Sequence, residues 1–228
     1  MDFDSFVLAA ATGDLGDESS AREHADALEF RMDFADDPVS ALEEYQGELP
    51  IIATNRPVWE GGRRTDGEDR IEALREILSL EAVEAVDVEL GSLKDVDAAE
   101  VSGTAVVRAA AEEDVSVIVS FHDFEATPGL SDLAEIAADV CTLGDVGKIS
   151  VTAEEPGDVL DLLRVTHEFS SAGQAIATMS MGAPGRHSRI VAPFYGSKIG
   201  YAPIHRTEAT APGQFDLETM AALIDVMR

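Results

Sequence analysis

The sequence predicts an α/β fold: a (β/α)8 barrel of eight parallel strands ringed by helices, built as one domain over residues 1–228. Three observations lead there. Short apolar runs of β character alternate with longer helix-like patterns from end to end, and eight such β/α units follow one another. The length of 228 residues is close to the about 250 of a barrel of this kind. An open, doubly wound sheet is the competing architecture. It calls for a glycine-rich phosphate turn after the first strand, and the segment ATGDLGDESS (11–20) lacks the GxGxxG spacing.

The first strand is read at 6–12, FVLAAAT, and an acidic helix-compatible stretch runs through 21–27. Residues 28–34, LEFRMDF, alternate with period two, as a strand does. Asp37-Pro38 opens a helix ending near Gly47, with proline at its first turn. The third strand is 50–54, PIIAT. A polar loop, EGGRRTDGED, leads from it to a helix with apolar positions at Ile71, Leu74, Ile77 and Leu78. AVDVEL (85–90) is the fourth strand, followed by a helix within 98–113. VSVIVSFHDF (115–124) is the fifth and the most β-branched. Thr127-Pro128 opens the next helix, which runs to about Val140. VGKISV (146–151) and QAIATMSM (174–181) supply strands six and seven, with a helix from Glu155-Pro156 between them. The Gly- and Pro-rich segment 182–213 holds an eighth, IGYAPI, and the last helix begins at Asp216.

Forty-five acidic against sixteen basic residues give a formal net charge of −29. Such a surface repels nucleic acid and anionic membranes, which argues against both as partners. No apolar run approaches the roughly 20 residues of a membrane span. The N-terminus MDFDSFVLAA carries acids where a secretory signal carries Lys or Arg. The single Cys141 leaves no disulfide framework, so a cytoplasmic protein is expected. The acids are spread through apolar-periodic segments, as on a folded domain with a solvated acidic shell. Thirteen Arg but only three Lys (Lys94, Lys148 and Lys198) accompany them. An acid-rich, lysine-poor surface suits a cytosol of very high ionic strength, where screening acts within a few ångströms. A salt-loving source is therefore expected, with stability that rises from dilute to multimolar salt in thermal unfolding. Full stability in dilute buffer would overturn that expectation.

In a barrel, functional groups gather at the C-terminal ends of the strands. Glu29, Arg31 and Asp33 fall on one face of the second strand. They form either an internal salt-bridge network or a polar cup for a hydroxylated or anionic ligand. Arg56 and Glu60-Gly61-Gly62 follow strand three, and Asp87 and Glu89 lie on strand four. Ser120, His122, Asp123 and Phe124 close strand five, Ser188-Arg189 follow strand seven, and Pro212-Gly213-Gln214 lie in the last loop. Lys148 sits inside strand six, where burial disfavours an ammonium, and a neutral amine forms imines with carbonyls. A structural lysine paired with Asp87 or Glu89 is the alternative. His122, at the end of the adjacent strand, shifts the balance toward chemistry, because imidazole exchanges protons near neutrality. The other histidines (His24, His167, His187 and His205) read as surface groups. HxxxH and CxxC are absent, so no metal or cofactor is expected, and neither Ser120 nor Ser188 sits in a GxSxG elbow.

Together these residues resemble the type I 3-dehydroquinate dehydratase family. Seven motifs carry the resemblance, in order and over nearly the whole chain. They are Glu29-Phe30-Arg31-Met32-Asp33, Arg56 before Glu60-Gly61-Gly62, Asp87-x-Glu89, Ser120-x-His122-Asp123-Phe124, Lys148-Ile149, Met181-Gly182 leading to Ser188-Arg189, and Ala211-Pro212-Gly213-Gln214. The resemblance implies a cofactor-free lyase that acts on 3-dehydroquinate in the shikimate pathway of aromatic amino-acid biosynthesis, as a homodimer. It implies that Lys148 forms an imine with the C3 ketone. His122 would take the C2 proton and help expel the C1 hydroxyl as water, with Glu60 orienting or polarising it. Arg189 would bind the C1 carboxylate through a bidentate fork, and Glu29, Arg31 and Arg56 would hold the ring hydroxyls. Gln214 would reach in from a covering loop. Thr210 stands where the family often has serine and still offers a hydroxyl, whereas the first strand, VLAAAT, lacks the serine often found there.

Two other functions share part of this pattern. A class I aldolase would keep the lysine, but a sugar-phosphate aldolase binds phosphate through Gly-rich loops after the last two strands, where this chain offers Arg189 and Gln214. A non-catalytic sugar-acid binding protein would need Arg189 and Glu29 but no buried amine beside His122. Borohydride trapping of a covalent adduct separates it from either enzyme.

Overall fold

The computed structural model describes residues 1–93, 102–205, 207 and 213–228. Strands and helices alternate as β1 (Val7–Thr12), α1 (Glu18–Ala21), β2 (Ala27–Arg31), α2 (Pro38–Glu43), β3 (Ile51–Thr54), α3 (Glu68–Glu76), β4 (Val83–Glu89), α4 (Leu90–Leu93), α5 (Gly103–Glu112) and β5 (Ser116–His122). They continue as α6 (Leu130–Leu143), β6 (Val146–Thr152), α7 (Pro156–Ser171), β7 (Ile176–Met181), α8 (Gly182–Gly185), α9 (Ser188–Val191), β8 (Ile199–Pro203) and α10 (Leu217–Met227). The strands form one sheet in the order β7-β6-β5-β4-β3-β2-β1-β8, each neighbouring pair parallel. Its two ends meet where Lys198 N donates to Ile176 O over 2.8 Å. The sheet is thus a nearly closed (β/α)8 barrel. Among the described residues no helix is long and apolar enough to cross a membrane.

Alternation along each strand divides its residues between two environments. Outward-facing Leu28, Phe30, Val86, Val88, Val119 and Ile149 pack with Leu74, Val106, Leu133 and Leu162 of the helices. Inward-facing Ala27, Ile52, Ala85, Ile118 and Val146 fill the N-terminal half of the barrel together with Phe3. Two residues further along those same inward rows stand Glu29, Thr54, Asp87, Ser120 and Lys148. Two further still come Arg31, Glu89, His122 and Ser150. The change from apolar to ionic along one face places the functional groups at the C-terminal end.

Several expected boundaries move, each for a local reason. The second strand ends at Arg31, and Met32–Phe34 form a 3-10 turn. Asp33 therefore leaves the strand face and curls back to accept from Arg31 Nε and Nη2 at 2.9 and 2.8 Å. The stretch 21–27 is not a helix beyond Ala21, because Asp26 is drawn into the sheet edge: its carboxylate accepts from Leu8 N at 2.8 Å. α2, capped by the Asp37 carboxylate accepting from Ser40 N at 3.2 Å, ends at Glu43 rather than near Gly47, because Tyr45 N turns back to Leu42 O at 3.2 Å and its hydroxyl donates to Leu49 O at 2.8 Å. The helix expected from Thr127-Pro128 starts instead at Leu130, since Thr127 Oγ1 donates to Thr152 O at 2.8 Å and ties that segment to β6. The helix expected within 98–113 is described from Gly103; residues 94–101 lie outside the described residues. The Gly- and Pro-rich stretch before β8 contains two short helices, α8 and α9.

Candidate active site

Lys148 is only 4% exposed. Its Nζ lies 2.9 Å from Asp87 Oδ2 and 3.6 Å from Glu29 Oε1, over the face of the Tyr201 ring, 4.1 Å from the centroid. The β5–β6 register sets it beside Ser120, whose hydroxyl donates to Asp87 Oδ1 at 2.6 Å. Arg56 crosses the floor of this group: its Nη1 is 3.1 Å from Glu60 Oε2 and 3.3 Å from Glu89 Oε1, and its Nη2 is 2.8 Å from Asp87 Oδ2. Arg70 of α3 anchors the other oxygen of Glu89 at 3.0 Å and donates to Asn55 O at 3.0 Å. Burial works against the charge of Asp87, but Arg56 and Lys148, with the Ser120 hydrogen bond, outweigh it and hold the carboxyl well below its ordinary range.

His122 points Nδ1 at Glu60 Oε2, 3.0 Å away. Burial, and then the charges of Arg56 and Lys148, push its imidazole well below the ordinary value of 6.5. Burial pushes the Glu60 carboxyl the other way, up to about 8, against the attraction of Arg56. The two groups are close enough to titrate as a pair.

Arg189 stands on α9, which is seated on β7 by the Ser188 hydroxyl accepting from Ser180 N at 2.8 Å. Ser188 is thereby committed to the backbone. Burial lowers the Arg189 guanidinium to about 10, which leaves it charged at neutral pH. Buried Arg31, Arg56, Arg70 and Lys148 each have an acidic partner. Arg189 has none among the described residues, and its Nε makes no hydrogen bond. A buried cation without a counter-ion is unfavourable, and a bound anion would supply the missing charge.

Glu29, Arg31, Arg56, Glu60, His122, Lys148, Arg189 and Gln214 all line one cavity of about 60 Å³. The structure thus brings together eight of the nine site residues singled out from the sequence. The ninth, Thr210, lies outside the described residues. A larger groove of about 880 Å³ opens between the loops after β1 and β2, but Asp14, Asp17, Asp36, Asp37 and Glu44 line it, and it repels an anion. Thr12 faces that groove, its hydroxyl donating to Asp14 O at 3.1 Å, and no residue of β1 lines the smaller cavity. Among the described residues no group of three His, Cys, Asp or Glu is placed to hold a metal ion.

A family model described as type I 3-dehydroquinase matches residues 11–228. The chain belongs to the type I 3-dehydroquinase family. It is 52% identical to the 3-dehydroquinate dehydratase of Halobacterium salinarum, over 98% of each chain. It is 51% identical to that of Haloarcula marismortui, over 98% of this chain and 97% of the relative. Among solved structures it is similar to the 3-dehydroquinate dehydratase of Geobacillus kaustophilus HTA426, with a TM-score of 0.84 and 27% identity over 98% of this chain and 91% of that one.

In this type I 3-dehydroquinase, sequence reasoning missed two residues of the cluster, Tyr201 and Arg70. Tyr201 looks like a core aromatic on an apolar strand, and only its inward phase relative to the ionic rows marks it. Arg70 carried a readable signal: it precedes Ile71 and Leu74 on the buried stripe of α3, where a lone arginine needs acid partners.

Proposed function

We propose that the chain dehydrates 3-dehydroquinate to 3-dehydroshikimate, as a hydro-lyase of the shikimate pathway that works through an imine on Lys148. The observation that carries this reading is the convergence of Lys148, His122 and the unpaired Arg189 on one cavity. An amine, a proton carrier and an anion site are what an imine-assisted elimination beside a carboxylate requires. The Lys148–Asp87 ion pair alone does not decide, since a structural lysine would make it too.

Lys148 first gives up its ammonium proton to His122, its neutral Nζ then attacks the C3 carbonyl, and the carbinolamine hydroxyl leaves as water with that proton to give an iminium. The iminium draws electrons from the C2–H bond as His122 takes that proton, leaving an enamine. The enamine then expels the C1 hydroxyl, which departs as water with the proton that His122 returns. Hydrolysis of the new iminium frees the product and Lys148. Arg189 holds the C1 carboxylate. Glu29 and Arg31 hold ring hydroxyls, and Arg56 joins them with few donors to spare, since three carboxylates and Ser120 already engage it. Gln214 closes the cavity from the last loop, whose Gly213 has φ +85 and leaves no room for a side chain against Gly182 O.

Borohydride reduction in the presence of 3-dehydroquinate at multimolar salt, followed by intact mass and peptide mapping, tests the reading. A stable adduct on Lys148 supports it, and no adduct from folded protein removes the imine. Arg189→Ala is expected to raise KM by about 10- to 100-fold, the scale of a charge-assisted hydrogen-bond pair, with kcat changed much less. An unchanged KM would take the carboxylate away from Arg189.

A further inference from the structure

We infer that Phe124 is a positioning residue: stacked on His122 and seated on Gly61, its ring holds the imidazole against Glu60 in the orientation that proton transfer needs. This rests on His122 being the proton carrier of the proposed reaction. The two rings lie 5.8 Å apart with their planes within 9° of parallel, the arrangement of an offset aromatic pair. The same phenyl ring occupies the space that a Cβ on Gly61 would take, so it rests directly on the backbone of the residue after Glu60. One side chain therefore touches both the proton carrier and the turn that carries its partner.

The surroundings make this contact rigid from both sides. Asp123 accepts from Glu125 N and Ala126 N, each at 2.9 Å, and its own N–H donates to Ser150 O at 2.9 Å. That turn fixes the backbone on either side of Phe124. The opposite flank of the Glu60 turn is held by Trp59, whose ring lies 2.7 Å from where a Cβ on Gly91 would stand. The Glu60 turn is thus gripped between two aromatic–glycine contacts. Yet Phe124 is 46% exposed, so burial of its own apolar surface is a weak reason for it to sit there. The hydrogen bond between Nδ1 and Glu60 fixes that nitrogen along one direction only and leaves the ring free to tilt about it. A flat neighbour restricts that tilt, and misplacement of a reacting group by about 1 Å lowers rates by about 100-fold.

The charged groups facing the imidazole are Glu60, Arg56, Lys148, Asp87 and Arg31. Phe124 adds no charge, so its removal leaves the charges around the imidazole in place and acts through orientation and water access, while its share of the cavity wall would show in KM. Water reaching the ring relieves the burial that depresses it, and His122 should titrate nearer 6.5.

The test compares Phe124→Ala, Phe124→Leu and Phe124→Tyr with His122→Ala in steady-state kinetics at multimolar salt. The pH profile of kcat, the unfolding midpoint and the NMR titration of the His122 ring are followed in parallel. Loss of about 100-fold in kcat for the Ala variant, a smaller loss for Leu, KM changed by only a few-fold, an upward-shifted His122 titration and recovery in the Tyr variant would support the inference. Wild-type kcat and pH profile in both the Ala and Leu variants would overturn it, as would an effect confined to KM. Wild-type turnover in His122→Ala would instead sink the underlying assignment of the proton carrier.

Discussion

Replacing Lys148 with alanine is expected to lower kcat on the order of 10⁶-fold, the scale on which loss of a covalent nucleophile acts, while the barrel stays folded. The fold survives because Lys148 stands above the apolar plug of Ile118 and Val146, not within it. Its partners also keep other contacts. Asp87 retains Arg56 at 2.8 Å and the Ser120 hydroxyl at 2.6 Å, and Glu29 retains the Thr54 hydroxyl at 3.1 Å. Lys148→Arg separates charge from chemistry. A guanidinium keeps the positive charge beside Asp87 but does not form an imine, so it should be as inactive as alanine and yield no borohydride adduct. A variant of either kind that still traps substrate, or that turns over within about 100-fold of the wild type, would place the nucleophile elsewhere.

The strands made Lys148 and His122 legible, because in a parallel barrel an inward residue is either core or site. The rows from Ala27 to Glu29 to Arg31 and from Ile118 to Ser120 to His122 each turn from apolar to polar toward the C-terminal end of the strand, and period-two counting is enough to see it. Pairing was less legible. Arg56 engages Glu60, Asp87 and Glu89 at once, and nothing in their spacing says that most of its donors are already spoken for. Asp33 illustrates the limit at strand ends: alternation continues through Met32 and Asp33, but the bidentate contact with Arg31 favours a tight turn over one more strand residue. Helix starts failed for a similar reason. A proline after threonine announces a helix, yet the Thr127 hydroxyl found a carbonyl on β6 first. Such side-chain to backbone bonds between distant segments are decided by tertiary structure.

Replacing His122 with alanine is expected to lower kcat beyond the ~10²–10⁴-fold of simple acid–base assistance, because one imidazole serves imine formation, C2 deprotonation and hydroxyl departure. Its pH dependence follows from the pair it forms with Glu60. Nδ1 faces the carboxyl, so Nε2 is left for substrate, and which nitrogen carries the proton depends on Glu60. While Glu60 is protonated it donates to Nδ1, the imidazole proton sits on Nε2, and the ring accepts nothing from C2. Once the pair loses a proton, Nδ1–H donates to the carboxylate and Nε2 becomes a base. Burial has raised the carboxyl to about 8, so kcat/KM should climb with pH toward that value and then level. Glu60→Gln removes the group that retains this proton, and the climb should move to lower pH, to the imidazole's own titration, which burial with Arg56 and Lys148 keeps well below 6.5. A pH profile unmoved in Glu60→Gln would detach Glu60 from the proton transfer. A His122→Ala variant keeping more than about one hundredth of wild-type kcat would show that another group carries the proton between C2 and the departing hydroxyl.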